Sequence, residues 1–259
     1  MASRLAQRAG RAARDRASDP GHAAAYHVLH QAAGGSGERG VQVSVAKYLP
    51  VFQPCRWWWP PHQLASALSE RLFNRGFLEA VTEGRWAVPG IWPKRIPEAR
   101  GTLDYLGVNF YRRHFIRNGW HPAQWLGAGC ERTHHWGSRR DLTSWMGWEI
   151  YPEAFYQTLT RWKQLGLPFL ITENGTSMVD DAKRWRFIVQ HLQALHRAME
   201  AGCRVLGYTY WSLIDNFEWA HGFAPRFGLI EVDYATQRRT VRESGRRYAE
   251  VCRTNRLTA

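Results

Sequence analysis

Hydrophobic and polar positions follow two periods along the chain, one typical of strands and one typical of helices, and segments of the two kinds alternate. Short apolar or alternating runs predict four strands, at 41–45, 103–110, 169–172 and 205–211. After each run, apolar residues recur three and four positions apart, which predicts helices at 62–75, 152–165 and 182–201 and one closing helix. A further helix is predicted at 21–33, before the first strand. Four strand-then-helix units in series predict an α/β fold with parallel strands, because parallel neighbours need crossover helices.

Residues typical of helix ends flank several of these segments. Gly76 and Gly166 follow two helical patterns at positions that suit a C-cap. Pro152 fits the first turn of its helix. Thr240 and Glu243 have the spacing of a capping box, which predicts the start of the last helix.

The number of units predicts an incomplete barrel. A chain of 259 residues is long enough for a complete (β/α)₈ barrel of about 250 residues. Only four units are visible, and the loops between them are long. We therefore expect the C-terminal half of such a barrel over residues 21–259, preceded by a basic arm, residues 1–20, that is disordered. The arm lacks the apolar core of a secretory signal, and its arginines and alanines leave an organellar transit peptide as an alternative.

Charge, hydrophobicity and cysteine content argue against several classes of protein. The net charge of +13 raises the question of nucleic-acid binding, but the arginine pairs are scattered and no nucleic-acid motif accompanies them. No apolar stretch approaches the length of a membrane span. The four cysteines show neither close pairing nor metal-type spacing, so we expect no disulfide framework, no zinc site and a cytoplasmic protein. The histidine pairs His27/His30, His134/His135 and His191/His196 are interpreted as surface residues rather than metal ligands.

Tryptophan is in excess, with 14 residues, several of them in segments that read as loops. An indole face offers a platform for the apolar face of a sugar ring, and its N–H can serve a hydroxyl. Ordinary packing explains most of the 14.

Strand ends supply the candidate chemistry. In an α/β barrel the reactive side chains sit where strands end and βα loops begin. Glu173 follows an apolar strand and precedes the turn pair Asn174 and Gly175. The second strand runs into Asn109 and Tyr111, and the fourth runs into the polar and aromatic segment 211–219.

At these strand ends the chain resembles family 1 glycoside hydrolases, the β-glucosidase and β-galactosidase family of (β/α)₈ barrels. The resemblance covers residues 21 to the C-terminus. The segment 171–175, Ile-Thr-Glu-Asn-Gly, is similar to the family's nucleophile motif, and 211–219 is similar to its sugar-binding segment. Position 110 is Phe where many members have Tyr.

The resemblance implies a role for each matching residue. Glu173 would be the nucleophile of a retaining β-glycosidase, oriented by Tyr111, with no cofactor and no metal. Residues implied in substrate binding are Asn109 beside them, Trp211 under the sugar ring, Glu218 as acceptor for hydroxyls, Trp219 as an indole donor and Phe227 as a wall.

The resemblance also shows what is missing. Retention needs a second carboxyl about 5 to 5.5 Å from the nucleophile, and the family carries it in an Asn-Glu-Pro motif that does not occur here. Asp215, Glu218, Glu83, Glu131 and Glu149 are other acids that we considered as replacements. We expect Asp215 to brace its loop instead.

Three functions remain. The leading one is hydrolysis of small-molecule β-glycosides, impaired unless a homo-oligomer or a missing N-terminal half completes the barrel. The second is an inactive sugar-binding fragment or pseudoenzyme. The third is a basic nucleic-acid-binding surface, which a steep dependence of binding on salt would reveal.

Overall fold

The structure is a computed structural model that describes residues 20–34, 40–88, 91–118, 128–129 and 143–257. Helices are α1 Pro20–Ala32, α2 Pro60–Glu70, α3 Gly76–Glu83, α4 Pro152–Trp162, α5 Asp181–Glu200 and α6 Glu243–Thr254. Short π- or 3₁₀-helical segments are Arg71–Arg75, Pro97–Ala99, Lys163–Leu165 and Trp219–His221. Strands are β1 Ala46–Tyr48, β2 Val51–Pro54, β3 Arg85–Val88, β4 Ile91–Arg95, β5 Leu106–Phe110, β6 Arg113–Arg117, β7 Ala128–Gly129, β8 Phe169–Asn174, β9 Val205–Tyr210, β10 Ile230–Val232 and β11 Arg239–Val241.

The chain groups into two compact units. One is Met1–Val45 with Ala67–Leu106, and the other is Ala46–Ser66 with Gly107–Ala259. The predicted division into an arm, 1–20, and a domain, 21–259, stays a prediction, since residues 1–19 lie outside the described residues.

In the first unit, Asp104 holds α1 in place. Its carboxylate accepts hydrogen bonds from Tyr26 at 2.8 Å and from His30 Nε2 at 2.9 Å. Both donors lie on α1, four residues apart, so they share one face of the helix. Burial alone would raise the pKa of Asp104, but the hydrogen bond from the Val43 backbone N–H, together with those from Tyr26 and His30, lowers it overall. The carboxylate therefore remains an acceptor for α1 at neutral pH.

In the second unit, a four-stranded sheet in the order β1, β5, β8, β9 carries the candidate site. The pairs β1/β5 and β8/β9 are parallel. Helix α4 packs on β5 through Phe155 and Phe110, whose ring centroids are 5.2 Å apart. Helices α5 and α6 continue the layer, and a buried cluster fills the space beneath them: Ile150, Met178, Phe187, Ile188, Tyr210 and Leu229.

The predicted fold class is confirmed. The sequence of strands and crossover helices is α/β, with four strand-helix units and a parallel sheet that does not close into a barrel within the described residues. Helix 152–165 is confirmed, including its end at Gly166, which adopts φ 72°. Residues 182–201 form α5, shifted by one position.

Two helix-end predictions are wrong. Gly76 has ordinary helical angles, because helical structure continues through Arg71–Arg75 and α3 to Gly84, whose φ is 68°. The buried apolar residues Leu78 and Val81 explain this continuation. Thr240 does not cap a helix either. It lies in β11, paired with Glu231 of β10, and α6 begins three residues later.

The strand predicted at 41–45 is also wrong in position. Val43 exchanges both of its backbone hydrogen bonds with Asp104, one to the carboxylate and one from the backbone N–H. This contact is local, and the regular ladder begins only at Ala46, which pairs with Gly107.

Two further expectations need correction. Cys55 is disulfide-bonded, whereas Cys203 and Cys252 are free. Cys130 lies outside the described residues. His30 and His191 are buried rather than on the surface, because each packs against aromatic rings of its own helix. The pair His134/His135 lies outside the described residues.

Among the helices in the described part of the chain, none has both the length and the apolar character that a membrane crossing demands.

Candidate active site

Three neighbouring strands of the sheet end in the predicted site residues. Glu173 lies near the end of β8, Tyr111 directly follows β5, and Trp211 directly follows β9. Because β5, β8 and β9 are adjacent, the sheet brings residues from three distant parts of the sequence to one edge.

The central contact joins Tyr111 to Glu173. The Tyr111 hydroxyl donates a hydrogen bond to Glu173 Oε2 at 2.5 Å. Burial raises the pKa of Tyr111, and the bond to Glu173 raises it further. The phenol therefore keeps its proton at neutral pH and acts as a fixed donor to the carboxylate.

Amide side chains lock the strands on either side of Glu173. The Thr172 hydroxyl donates to Asn109 Oδ1 at 2.6 Å, linking β8 to β5. Asn174 is fully buried, donates to the carbonyl of Phe110 at 2.7 Å, and accepts from the Tyr208 hydroxyl at 2.7 Å. Glu173 thus stands between two anchored neighbours, which restricts its backbone.

A close backbone approach joins the segment that follows Glu173 to Trp211. The Trp211 N–H donates to the Asn174 carbonyl at 3.0 Å. A Cβ added to Gly175 would lie 1.7 Å from the Trp211 carbonyl oxygen. Only glycine fits here, so the Asn-Gly pair serves packing as well as turning. The Trp211–Ser212 peptide bond is cis.

The loop that follows Trp211 is held by a buried carboxylate. Asp215 accepts a hydrogen bond from the Gly228 N–H at 2.8 Å, and it pairs with Arg242 at 3.0 Å and Arg226 at 3.4 Å. Its side chain has no exposure. Asp215 is therefore a structural clamp on the segment that carries Glu218 and Phe227.

The remaining predicted binding residues differ in their surroundings. Desolvation raises the pKa of Glu218, the charge of Glu173 adds to the increase, and His221 opposes it. Glu218 and Glu173 are therefore within electrostatic range of each other. Phe227 is buried, with its ring 6.4 Å from that of Tyr111. Trp219 is 82% exposed, so the described residues do not enclose it.

Trp148 belongs to the same cluster and was missed from the sequence. Its ring lies 5.7 Å from that of Tyr111 and 6.1 Å from that of Phe227. A tight hairpin presents it, with Thr143 bridging to Glu149 and the Ser144 N–H donating to the Trp148 carbonyl. Because this hairpin is not the end of a sheet strand, the strand-end rule does not find it.

Tyr48, Arg112 and His114 form a second polar group beside Tyr111, which was also missed. The Tyr48 hydroxyl and His114 Nε2 are 2.8 Å apart, and the Tyr48 and Tyr111 rings are 6.1 Å apart. Burial, assisted by the charge of Arg112, lowers the pKa of His114 to about 4. The Arg112 guanidinium lies 5.1 Å from the centre of the Trp148 ring. This group contains a neutral imidazole and a fixed cation at neutral pH.

The other acids considered from the sequence are engaged elsewhere. Glu149 receives two hydrogen bonds from Arg113, at 2.6 and 2.9 Å. Glu83 belongs to the other unit and pairs with Arg85. Glu131 lies outside the described residues. Nor do the described residues contain a group of three His, Cys, Asp or Glu side chains placed to hold a metal ion.

Comparison with known proteins gives a consistent result. The family model for glycosyl hydrolase family 1 matches residues 21–257. A β-galactosidase of Sulfolobus acidocaldarius is 37% identical over 201 residues, which are 76% of this chain and 40% of the relative. The structure of a β-glycosidase from Pyrococcus horikoshii aligns with a TM-score of 0.80 and 36% identity, covering 92% of this chain and 52% of that one. A family 1 β-glucosidase from Thermotoga maritima aligns with a TM-score of 0.77 and 28% identity, covering 92% and 55%.

The chain thus spans about half the length of the solved relatives, and less of the curated one. The family match runs over almost all of its residues and includes the strand ends where Tyr111, Glu173 and Trp211 meet. This chain belongs to glycosyl hydrolase family 1.

Proposed function

We propose that this chain carries the nucleophile side of a retaining, β-glucosidase-like enzyme that hydrolyses the O-glycosidic bonds of small-molecule β-glycosides. One observation carries the proposal: the Tyr111 hydroxyl donates to Glu173 Oε2 at 2.5 Å, at the end of the central strands of the sheet. This bond leaves Oε1 of the carboxylate for reaction and fixes its direction.

In the proposed reaction, a Glu173 oxygen attacks the anomeric carbon as the bond to the leaving oxygen breaks, and that oxygen takes the electron pair. The product is a glycosyl ester of Glu173. Water then attacks the anomeric carbon, the ester bond breaks, and Glu173 regains its charge. Trp211 would lie under the sugar ring, Asn109, Glu218 and Trp219 would bind hydroxyls, and Phe227 would form a wall.

Both steps need a proton carrier at the leaving oxygen and at the attacking water. Asp215 and Glu149 are held by arginines, which leaves neither free to move a proton. We propose that a second carboxyl from other polypeptide, either a further segment or another copy, completes the site. Without it, glycosides with poor leaving groups would lose roughly 10² to 10⁴ in rate.

A nitrophenyl β-glycoside tests this arrangement, because nitrophenolate leaves without protonation. The purified chain should release close to one equivalent of nitrophenolate in a burst and then turn over slowly. Azide, a nucleophile that needs no base, should restore turnover and yield a β-glycosyl azide. Mass spectrometry of the quenched protein should find the sugar on Glu173.

Glu173→Gln is the matched control, since it keeps the size of the side chain and one oxygen that can accept from Tyr111, but removes the carboxylate that would attack the sugar. It should abolish the burst and the adduct while leaving folding nearly unchanged. A burst in this variant would show that Glu173 is not the nucleophile. Efficient hydrolysis of cellobiose by the unmodified chain would contradict the missing-acid proposal and return attention to Glu218 and Glu131.

An inactive sugar-binding protein is the second candidate, favoured by the engaged state of Asp215 and Glu149. Retention of the chain on a sugar matrix without any nitrophenolate burst would support it. A nucleic-acid-binding role stays a prediction, tested by the salt dependence of any association. The cytoplasmic location also stays a prediction, and the disulfide at Cys55 weakens its basis.

A further inference from the structure

Three consecutive tryptophans stand apart from the cluster around Glu173, in the turn between β2 and α2. Trp57, Trp58 and Trp59 are 78%, 57% and 46% exposed. Contiguous aromatic surface of this kind is costly to leave in water and usually marks a binding site. None of the three is needed for the catalytic geometry described above.

The turn is held in one conformation by several hydrogen bonds. The Trp59 N–H donates to the Arg56 carbonyl at 3.1 Å, and the His62 N–H donates to the Trp59 carbonyl at 3.0 Å. The Arg56 N–H donates to His62 Nδ1, and the Gln63 side-chain amide donates to the Trp57 carbonyl. A platform fixed in advance loses little entropy when a ligand binds.

The rings present both flat and polar surface. Trp58 and Trp59 meet edge to face, with centroids 6.1 Å apart, so their faces point in different directions. The Arg56 guanidinium lies 5.6 Å from the centre of the Trp58 ring. Indole faces suit the C–H faces of sugar rings, and the guanidinium and indole N–H groups can donate to hydroxyls.

A strand ladder connects the turn to the catalytic residues. Strand β6 begins two residues after Tyr111 and pairs in parallel with β2, with Ile116 opposite Pro54. Ile116 also accepts a hydrogen bond from the Cys55 N–H at 2.8 Å. Ile116 lies three steps along the strand from Arg113, a distance of about 10 Å. A ligand that reaches both places must therefore be longer than a single sugar unit.

We propose that Trp57, Trp58 and Trp59 form an accessory platform for a neutral β-glucan chain, separate from the pocket that binds the reacting sugar. The choice of a glycan over a lipid or a nucleic acid rests on the proposed glycosidase function of the same unit. The existence of a binding platform rests only on the three exposed rings and the turn that fixes them.

The test measures binding without turnover, in the Glu173→Gln background, by calorimetry with cellohexaose and by affinity electrophoresis in gels containing hydroxyethyl cellulose. The double substitution Trp57→Ala and Trp58→Ala should weaken binding of both probes at least tenfold. Leu64→Ala is the matched control, because Leu64 is 62% exposed on the neighbouring turn of α2. It should leave binding within twofold.

Equal affinity in the parent and the double variant would overturn the proposal, whatever the burst experiment shows for Glu173. So would loss of hexasaccharide binding in Leu64→Ala to the same degree. Binding of a single-stranded oligonucleotide or an anionic phospholipid vesicle, lost in the double variant while cellohexaose does not bind, would overturn the glycan assignment. Circular dichroism of each variant shows whether a loss reflects unfolding.

Discussion

The position and orientation of Glu173 depend on its hydrogen-bonded neighbours. A glutamate after an apolar strand is common and does not by itself indicate a catalytic site. What distinguishes Glu173 is the hydrogen bond that it accepts from Tyr111, which lies 62 positions away in the sequence. Asn109 and Asn174 act at the same scale, since their amides connect β5, β8 and β9 around the carboxylate. The site residues that could be predicted from the sequence lie at strand ends, because adjacent parallel strands bring their ends to the same edge of the sheet.

Gly175 offers a test of this close packing. Its missing Cβ leaves room for the Trp211 carbonyl oxygen, which would otherwise lie 1.7 Å from it. Gly175→Ala should lower the free energy of unfolding by about 1 to 3 kcal/mol or more, because backbone must move. Urea unfolding followed by tryptophan fluorescence measures the change.

Gly207→Ala is the control for that substitution. Gly207 lies in β9 of the same sheet, and its added Cβ would meet only the Leu170 Cδ1 atom, at 3.3 Å. A flexible side chain can yield, so the loss should be clearly smaller. Equal losses in the two variants would contradict the proposed role of Gly175.

At the scale of elements, α5 carries a buried group that makes its packing sensitive to pH. His191 is fully buried, stacks on Phe187 at 3.8 Å between ring centroids, and donates from Nδ1 to the Phe187 carbonyl. Burial lowers its pKa to about 4, and the backbone bond opposes the shift only in part. The Nε2 atom has no hydrogen-bond partner in the described structure.

The sign of the pH effect follows from these values. Between pH 6.5 and about 4 the unfolded chain binds a proton at this histidine and the folded chain does not. The stability contributed by neutral His191 is therefore complete above pH 6.5 and is lost as the pH falls toward 4. His114, with its pKa also lowered to about 4, adds a second contribution of the same sign.

His191→Phe should keep the stacked ring and remove one proton from this dependence. The slope of unfolding free energy against pH between 4.5 and 6 should fall by about 1.4 kcal/mol per pH unit. His196→Gln is the control, because His196 lies on the same helix but is exposed. An unchanged slope in His191→Phe, measured by urea unfolding at several pH values, would contradict the argument.

At the scale of the whole molecule, the open sheet is the feature that most favours self-association. Among the described strands, β1 and β9 end the sheet, and each has one neighbour in it. Leu206 on β9 is 50% exposed, and Leu213 and Phe217 beyond it are 67% and 56% exposed. Unpaired edges and exposed apolar surface favour association. We therefore expect the chain alone to form dimers or larger species, or to require a partner.

Light scattering coupled to size-exclusion chromatography measures this association. Leu206→Glu should shift the population toward the monomer, because it places a charge on the open face. Met199→Glu on α5 is the control, since Met199 is 47% exposed but lies on the helix. A monodisperse monomer with a cooperative calorimetric melt in the unmodified chain would contradict the expectation.

The local pattern of the sequence determined the elements and their order. The alternation of periods predicted α4, α5, β8 and β9 closely, because each forms from residues that are neighbours along the chain. It also placed Tyr111, Glu173 and Trp211 at strand ends, and therefore at one edge of the sheet. Element boundaries failed where a distant residue intervened, as Asp104 did at Val43 and β10 did at Thr240.

Only the tertiary structure decided the contacts that depend on three-dimensional proximity. Trp148, Tyr48 and His114 come from a hairpin and two strands that no single period connects to Glu173. The clamp on Asp215 draws on Arg226 and Arg242, which follow it by 11 and 27 positions. Sequence spacing carries no information about such pairs, because the free energy of each depends on burial and distance that exist only once the chain has folded.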